Sequence, residues 1–253
     1  MGTTDFFIMK ALSNFLVEYY TYTATMSMIS VDARYSEQLL LASDMEQNAQ
    51  ELVRSKYVGH LCGCWLELLL LIPRIFELGR RIRVATDAST SVALSADHVI
   101  AYSELHHNIV SFIPSAAVPA ETSEAGHVYQ KAVLLYLLTT MNSNGSSLDG
   151  RHGNAVSTAV ADAMFHLSQI NPTARVNTSL CWPLAVIGSC TEDASTQSMI
   201  RGRLHTMLRT ITLGNIKVTL DLLEHIWTIP LVLRSPWTIC TTMQEHELWI
   251  SFA

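Results

Sequence analysis

The stretch that decides the fold runs from residue 64 to residue 84 and reads CWLELLLLIPRIFELGRRIRV. Its apolar residues do not alternate with polar ones as they would in a half-buried strand, so the run predicts a helix. Glu67, Pro73 and Arg74 interrupt it before the roughly 18 apolar residues that a membrane-spanning helix requires. We therefore predict a buried core helix here, and no membrane segment.

The rest of the chain shows the same organisation. Proline and glycine fall between apolar segments rather than at hairpins, and strand-like alternation is sustained nowhere. Near the start, Leu12, Leu16 and Tyr19 follow the spacing of an amphipathic helix. We predict one all-α domain over residues 1–253, an irregular bundle of about nine or ten helices. The predicted helices cover residues 4–29, 36–54, 64–84, 97–112, 120–140, 154–170, 182–190, 195–212 and 215–229, with a last one from about 235.

The composition favours a large apolar interior. Hydrophobic residues make up 49% of the chain and charged residues 15%, against about 25% charged in an average domain. This balance predicts a large core, an apolar pocket or an apolar interface. The net charge of −6 argues against direct, sequence-specific binding of nucleic acid, which usually needs a basic face. The N-terminus lacks a secretory signal pattern, so we expect a nuclear or cytoplasmic protein.

The cysteines do not form a metal-binding pattern. There are five of them, and their spacing matches neither a CxxC pair nor a zinc finger. Free cysteines are mostly buried in protein cores, so we expect reduced, buried thiols. We expect no bound metal and no cofactor. The five are Cys62, Cys64, Cys181, Cys190 and Cys240.

Acids and bases on the predicted helices are the only candidates for catalysis. The sequence contains no GxSxG, Walker or GxGxxG motif. Glu67 lies in the apolar core segment. Asp162 and His166 are four residues apart on a predicted helix, where they could pair as a dyad, although such a pair is more often structural. These three are the weak catalytic candidates.

A basic stripe is the candidate contact surface. Arg201, His205 and Arg209 follow each other at four-residue intervals, so a helix places them on one face. They are candidates for binding a protein partner or a ligand. The alternative is an ordinary solvated helix face.

Two parts of the chain carry a recognisable combination of motifs. The first is the run from Tyr57 to Leu78. The second comprises Trp182–Cys190, Arg201–Arg209, Leu213–Ile216, Leu222–Trp227 and Pro236–Trp237. Together they resemble the fungal-specific transcription factor domain, the helical regulatory region of zinc-cluster activators. The resemblance covers most of the chain from about residue 55, and residues 97–140 fit it more loosely.

The resemblance implies a regulatory module that senses a small-molecule effector or binds a protein partner, including a second copy of itself. Members of the family usually carry a six-cysteine zinc cluster near the N-terminus, and these residues contain no such cluster. The region before residue 55 also looks shortened. We therefore expect a regulatory domain without its own DNA-binding module.

The alternative is an enzyme, such as a cyclase or isomerase of fungal secondary metabolism, that uses an apolar pocket. Both readings place an apolar cavity or groove between the helix over residues 61–82 and the C-terminal helices. The motif-bearing segments in these two regions are rich in large apolar residues.

Overall fold

The computed structural model describes residues 3–33, 42–88, 95–141, 150–211 and 213–252. Within these ranges the chain is helical and has no β-strand, which confirms the predicted all-α class. Ten α-helices have seven residues or more, and an eleventh has four. In chain order they are α1 Thr3–Ser27, α2 Ser43–Arg54, α3 Leu66–Leu69, α4 Ile72–Ala88, α5 Ala96–Val110, α6 Ala120–Leu138, α7 Gly150–Ser168, α8 Cys181–Ser189, α9 Ala194–Ile211, α10 Gly214–Thr228 and α11 Ile239–Glu245. The predicted start of the second helix at residue 36 lies outside the described residues.

Helices α6 and α8 occupy the centre of the bundle. Every residue of α8 is buried, and so are most residues in the second half of α6. A helix that is apolar on all sides has to be enclosed by others. Helix α6 packs against α5, α7 and α8, and α8 packs against α9 and α10. This arrangement confirms the predicted helix over residues 182–190.

The fold-deciding segment is buried as predicted, but it forms two helices rather than one. The break lies between α3 and α4, at Leu70 and Leu71. Pro73 is the second residue of α4, where its missing N–H costs nothing, so it begins a helix instead of interrupting one. The prediction of one continuous helix over residues 64–84 is therefore wrong. Burial is complete at Leu68, Leu69, Ile72 and Ile75.

An aromatic column runs through the core, formed by Trp65, Tyr129, Trp182, Tyr136 and Trp237. The first two rings are stacked with their centroids 4.7 Å apart, and the last two are stacked at 4.5 Å. In the middle, Trp182 contacts both tyrosines of α6, at 6.3 Å and 6.0 Å. Because ring pairs of this kind add stability beyond their buried area, the column ties α3, α6 and α8 to the C-terminal segment.

The apolar face that the sequence pattern predicts for α1 is exposed to water. Leu12, Leu16 and Tyr19 are 50%, 54% and 53% exposed. The side that packs against the core is more polar, and it includes Glu18 and Tyr22. The spacing correctly predicted a helix, but it identified the exposed side, because α1 carries large apolar residues on more than one side.

The last residues of the described chain pack against the segment that follows α1. The Ser30 hydroxyl donates a hydrogen bond of 3.2 Å to the carbonyl oxygen of Ile250. The short 3-10 helix Met28–Ser30 packs against α11. Phe252 is 1% exposed. Residues after α11 therefore complete a core that begins with α1.

Candidate functional site

An open cavity of about 610 Å³ lies beside the link between α2 and α3. This volume is within the roughly 300–1,000 Å³ of small-molecule sites. We call it the Glu67 cavity. Its rim includes Val58 and Ile113, whose side chains are 45% and 81% exposed. The cavity is lined by Val53, Lys56, Tyr57, Val58, Cys64, Leu66, Glu67, Ile113, Ser115, Ala116 and Ala117.

The end of α2 shapes one wall of this cavity. Lys56 adopts φ 53°, the left-handed conformation that glycine usually supplies at a helix end. Its N–H donates to the carbonyl of Val53 at 2.9 Å, and the N–H of Tyr57 donates to the carbonyl of Leu52 at 3.0 Å. This pair of bonds is a Schellman motif. It reverses the chain so that both Lys56 and Tyr57 line the cavity.

Glu18 of α1 holds the loop behind that wall. Its carboxylate accepts hydrogen bonds from the Tyr57 hydroxyl at 3.0 Å and from the backbone N–H of His60 at 3.1 Å. It also accepts from the N–H groups of Leu61 at 2.6 Å and Cys62 at 2.7 Å. Three consecutive backbone donors thus surround a fully buried carboxylate, as in an anion-binding nest.

The sequence analysis missed Glu18. A signal was present: Glu18, Thr21, Tyr22 and Thr25 repeat at helical spacing and together form the buried side of α1. Gly59 is the other half of the arrangement. A Cβ atom at Gly59 would lie 2.0 Å from the Glu18 carboxylate, so the loop approaches α1 this closely only with glycine there.

The chemistry of the Glu67 cavity centres on Glu67 and Cys64. Partial burial raises the pKa of the Glu67 carboxyl above its usual value. Burial also raises the pKa of the Cys64 thiol to about 11, and its sulfur lies 3.7 Å from the carbonyl oxygen of Thr122. The thiol is therefore protonated near neutral pH and is a poor nucleophile. Glu67 is the group in this cavity suited to accept or donate a proton.

Asp162 and His166 are not paired with each other. Each contacts α6 instead: Asp162 binds the Lys131 ammonium at 2.7 Å, and His166 Nδ1 lies 2.7 Å from a Glu124 oxygen. The His166 ring also stacks on His127 with the centroids 4.5 Å apart. Neither Asp162 nor His166 lines the Glu67 cavity. The structure therefore does not bring the three catalytic candidates together.

The basic stripe on α9 is only partly available for contacts. Two guanidinium nitrogens of Arg201, Nε and Nη2, donate to the Glu224 carboxylate at 2.5 Å and 2.9 Å. The guanidinium also lies 4.9 Å from the Trp227 ring centroid. Arg209 and His205 are both exposed. Arg201 therefore already has partners within the domain, and His205 and Arg209 remain as the accessible part of the stripe.

One basic residue of α9 is structural. Arg203 is buried and donates to the carbonyl oxygens of Leu167 at 2.8 Å and Ile170 at 3.0 Å. These carbonyls belong to the C-terminal end of α7, which has no further helical partners. A signal was present in the sequence, because position 203 lies about 200° around the helix from position 201 and beside the apolar Ile200, Leu204 and Met207.

A second cavity, of about 550 Å³, lies between α2, α4 and α5. Some charged groups on its rim are paired: Glu77 binds Arg81 at 2.7 Å, and Arg74 lies 3.6 Å from Glu104. Five charged side chains line this cavity, against two in the Glu67 cavity, so it suits a mainly apolar molecule less well. Between α4 and the C-terminal segment, where the sequence led us to expect an apolar cavity, the Trp237 ring packs against α4 at Gly79.

The described residues contain no cluster of three or more metal-binding side chains. None of the five cysteines is part of a disulfide, and four of them are buried, as expected. In the described part of the chain, no helix is long and apolar enough to span a bilayer.

Comparison with known proteins identifies the fold's family. No curated protein and no solved structure matches the chain. The family described as the fungal specific transcription factor domain matches residues 3–251. The match extends over α1 and α2, beyond the part from residue 55 in which the sequence motifs were recognised. The chain therefore belongs to the fungal specific transcription factor domain family, whose members are regulatory.

Proposed function

We propose that this domain is an effector-responsive module of a fungal transcription regulator and that the Glu67 cavity is its effector site. The effector is a mainly apolar small molecule with a hydrogen-bond donor that faces Glu67. The module acts in the nucleus or cytoplasm through a protein partner, without reading DNA itself. It needs no metal or cofactor.

The observation that carries this proposal is the open cavity with an apolar rim beside the single carboxylate of Glu67. Val58 and Ile113 leave large apolar surfaces in water, and a bound apolar molecule would cover them. Glu67 would supply the polar contact that orients it, as is usual in mostly apolar sites. The net charge of −6 supports an indirect role of this module at DNA.

Binding of an apolar fluorescent probe tests the site. We expect the wild-type domain to bind 1-anilinonaphthalene-8-sulfonate saturably, with one site per chain. Ile113→Glu should weaken binding at least tenfold, because it places a charge on the rim. Val232→Glu is the matched control, since Val232 is also exposed, at 58%, and lies outside the cavity. Equal binding by both variants would contradict the proposed site.

An enzymatic role is the second candidate, and the raised pKa of Glu67 supports it. A general acid or base is most effective when its pKa lies near the working pH. In this case a cyclase or isomerase reaction of fungal secondary metabolism would use Glu67 for proton transfer. The purified domain would then convert a compound that accumulates in extracts of a strain lacking its gene. Glu67→Gln would abolish product formation while leaving the melting temperature unchanged.

Under the regulatory proposal, the same extract yields a bound compound and no new product. Native mass spectrometry of the incubated domain detects the bound compound, and chromatography of the extract detects product. Turnover that is lost in Glu67→Gln would reject the regulatory proposal in favour of the enzyme.

A further inference from the structure

One side of α1 is apolar and in contact with water along four turns. We call it the outer face, and its six residues are 38–60% exposed. At 100° per residue they fall within an arc of about 120°. That arc contains no charged residue among the described side chains from residue 7 to residue 20. The six are Ile8, Met9, Leu12, Leu16, Tyr19 and Tyr20.

The first half of this helix projects from the domain. Every residue from 7 to 13 is exposed, and burial begins near Val17. An isolated helical segment of this length is marginal in water. An apolar surface held on a projecting helix is a common sign of a protein or membrane contact.

The sequence of the outer face is complementary to itself when it is reversed. In an antiparallel pair centred on position 14, Leu12 faces Leu16 of the other copy. Ile8 then faces Tyr20, and Met9 faces Tyr19. Each residue thus meets a large apolar partner, and no pair brings like charges together. A twofold interface requires this property, because residue i contacts residue j and residue j contacts residue i.

The area is sufficient for a stable pair. Six large apolar side chains that each leave on the order of 100 Å² in water give about 600 Å² per chain. Two copies would bury at most about 1,200 Å², which is the lower limit of stable interfaces at roughly 1,200–2,000 Å². A lipid surface fits less well. Membrane-bound amphipathic helices are rich in Lys and Arg, whereas Lys10 is the only basic residue in the first 33.

From these observations we infer that the outer face of α1 is a homodimer interface, formed by antiparallel pairing of α1 with α1 of a second copy. This interface lies on a different helix from the Glu67 cavity, so it does not depend on the proposed effector site. The partner that the regulatory module binds through α1 is thus a second copy of this chain.

Size-exclusion chromatography with light scattering tests the inference at a protein concentration on the order of 50 µM, well above the micromolar Kd of a modest interface. We expect the wild-type chain to have the mass of a dimer. Leu12→Glu and Leu16→Lys should each give a monomer with an unchanged helical circular dichroism spectrum, because both side chains are exposed. Leu233→Glu, at an equally exposed leucine (58%) outside α1, should remain dimeric.

The double variant Leu12→Glu/Leu16→Lys tests the pairing itself. In the antiparallel arrangement, the glutamate introduced at position 12 of one copy would face the lysine introduced at position 16 of the other, so dimerisation should return at low salt. A monomeric double variant would overturn the antiparallel register. A monomeric wild type would overturn the interface. Co-sedimentation of that monomer with phosphatidylcholine–phosphatidylglycerol vesicles would assign the outer face to membranes instead.

Discussion

Replacing Glu18 with alanine should destabilise the domain more than a change at any other carboxylate among the described residues, because Glu18 alone of these is buried. The substitution removes the acceptor of four hydrogen bonds, three of them from backbone N–H groups of one loop. The Cys62 N–H is in a fully buried residue, whereas His60 lies at the surface, where water can replace the carboxylate. The loss is therefore smaller than four full bonds.

The magnitude follows from these contacts. Hydrogen bonds to a charged group are each worth roughly 1.5–3 kcal/mol, but burying a carboxylate costs several kcal/mol that the variant recovers. We expect a net loss of about 3–5 kcal/mol, because the buried N–H groups of the loop lose their acceptor while water replaces it only at the surface. Glu18→Gln retains one acceptor oxygen and should lose about 2–3 kcal/mol.

Urea unfolding followed by circular dichroism measures both losses. Since domains have a total stability of about 5–15 kcal/mol, Glu18→Gln remains measurable even where Glu18→Ala fails to fold. Glu51→Ala is the control, because Glu51 is exposed and forms a surface ion pair with Arg54 at 3.0 Å. It should change stability by less than about 0.5 kcal/mol. A loss under about 1 kcal/mol in both Glu18 variants would refute the anchoring role of this carboxylate.

Three other predictions concern the packing at two glycines, the Cys64 thiol and the Asp193 carboxylate. Gly79→Ala should lower stability by about 1–2 kcal/mol, because its Cβ would lie 2.3 Å from the Trp237 ring. A Cβ atom at Gly202 would have no other atom within 4 Å, so Gly202→Ala should raise stability by about 0.5–1 kcal/mol in the same urea unfolding assay. Equal effects of the two substitutions would contradict this difference. Alkylation of Cys64 by iodoacetamide, resolved by peptide mass spectrometry, should still accelerate with each pH unit up to about pH 10, since its pKa is about 11. A plateau near pH 9 would show an ordinary thiol. Hydrogen bonds from the first turn of α9 lower the pKa of Asp193 to about 2. Because the unfolded value is about 3.9, its stabilisation is present above about pH 4 and is lost as the pH falls towards 2. Asp193→Asn should therefore flatten the stability profile between about pH 4 and 2, and an unchanged slope would exclude this role.

The sequence predicted the fold well where helical spacing and burial agree. The segment 182–190 is apolar on every side, and a helix of that kind has only one stable place, inside the bundle. The apolar spacing of the sequence did not predict the break before α4. An apolar run continues through Leu70 and Leu71, so the spacing does not change where the helix ends.

The candidate site was only partly predictable. Glu67 could be selected because a carboxylate in an apolar run is unusual, and it lines a cavity. The Asp162–His166 pairing was a plausible local geometry, but partners on α6 bind both residues. Glu18 binds a loop some forty residues further along the chain. Contacts of this kind depend on how the helices pack together, so the helical periodicity of the sequence does not predict them.

The hydrogen bond between Ser30 and Ile250 joins residues 220 positions apart, and this separation affects how the protein is made. At roughly 5–20 residues per second, the ribosome needs about ten to forty seconds to add Ile250 after Ser30. During that time the Met28–Ser30 turn lacks α11 and the residues after it, which later pack against it. The nascent chain therefore leaves Met28 and Ile29 uncovered for much of its synthesis, although both are buried in the finished domain, so the last residues determine when this part of the core closes.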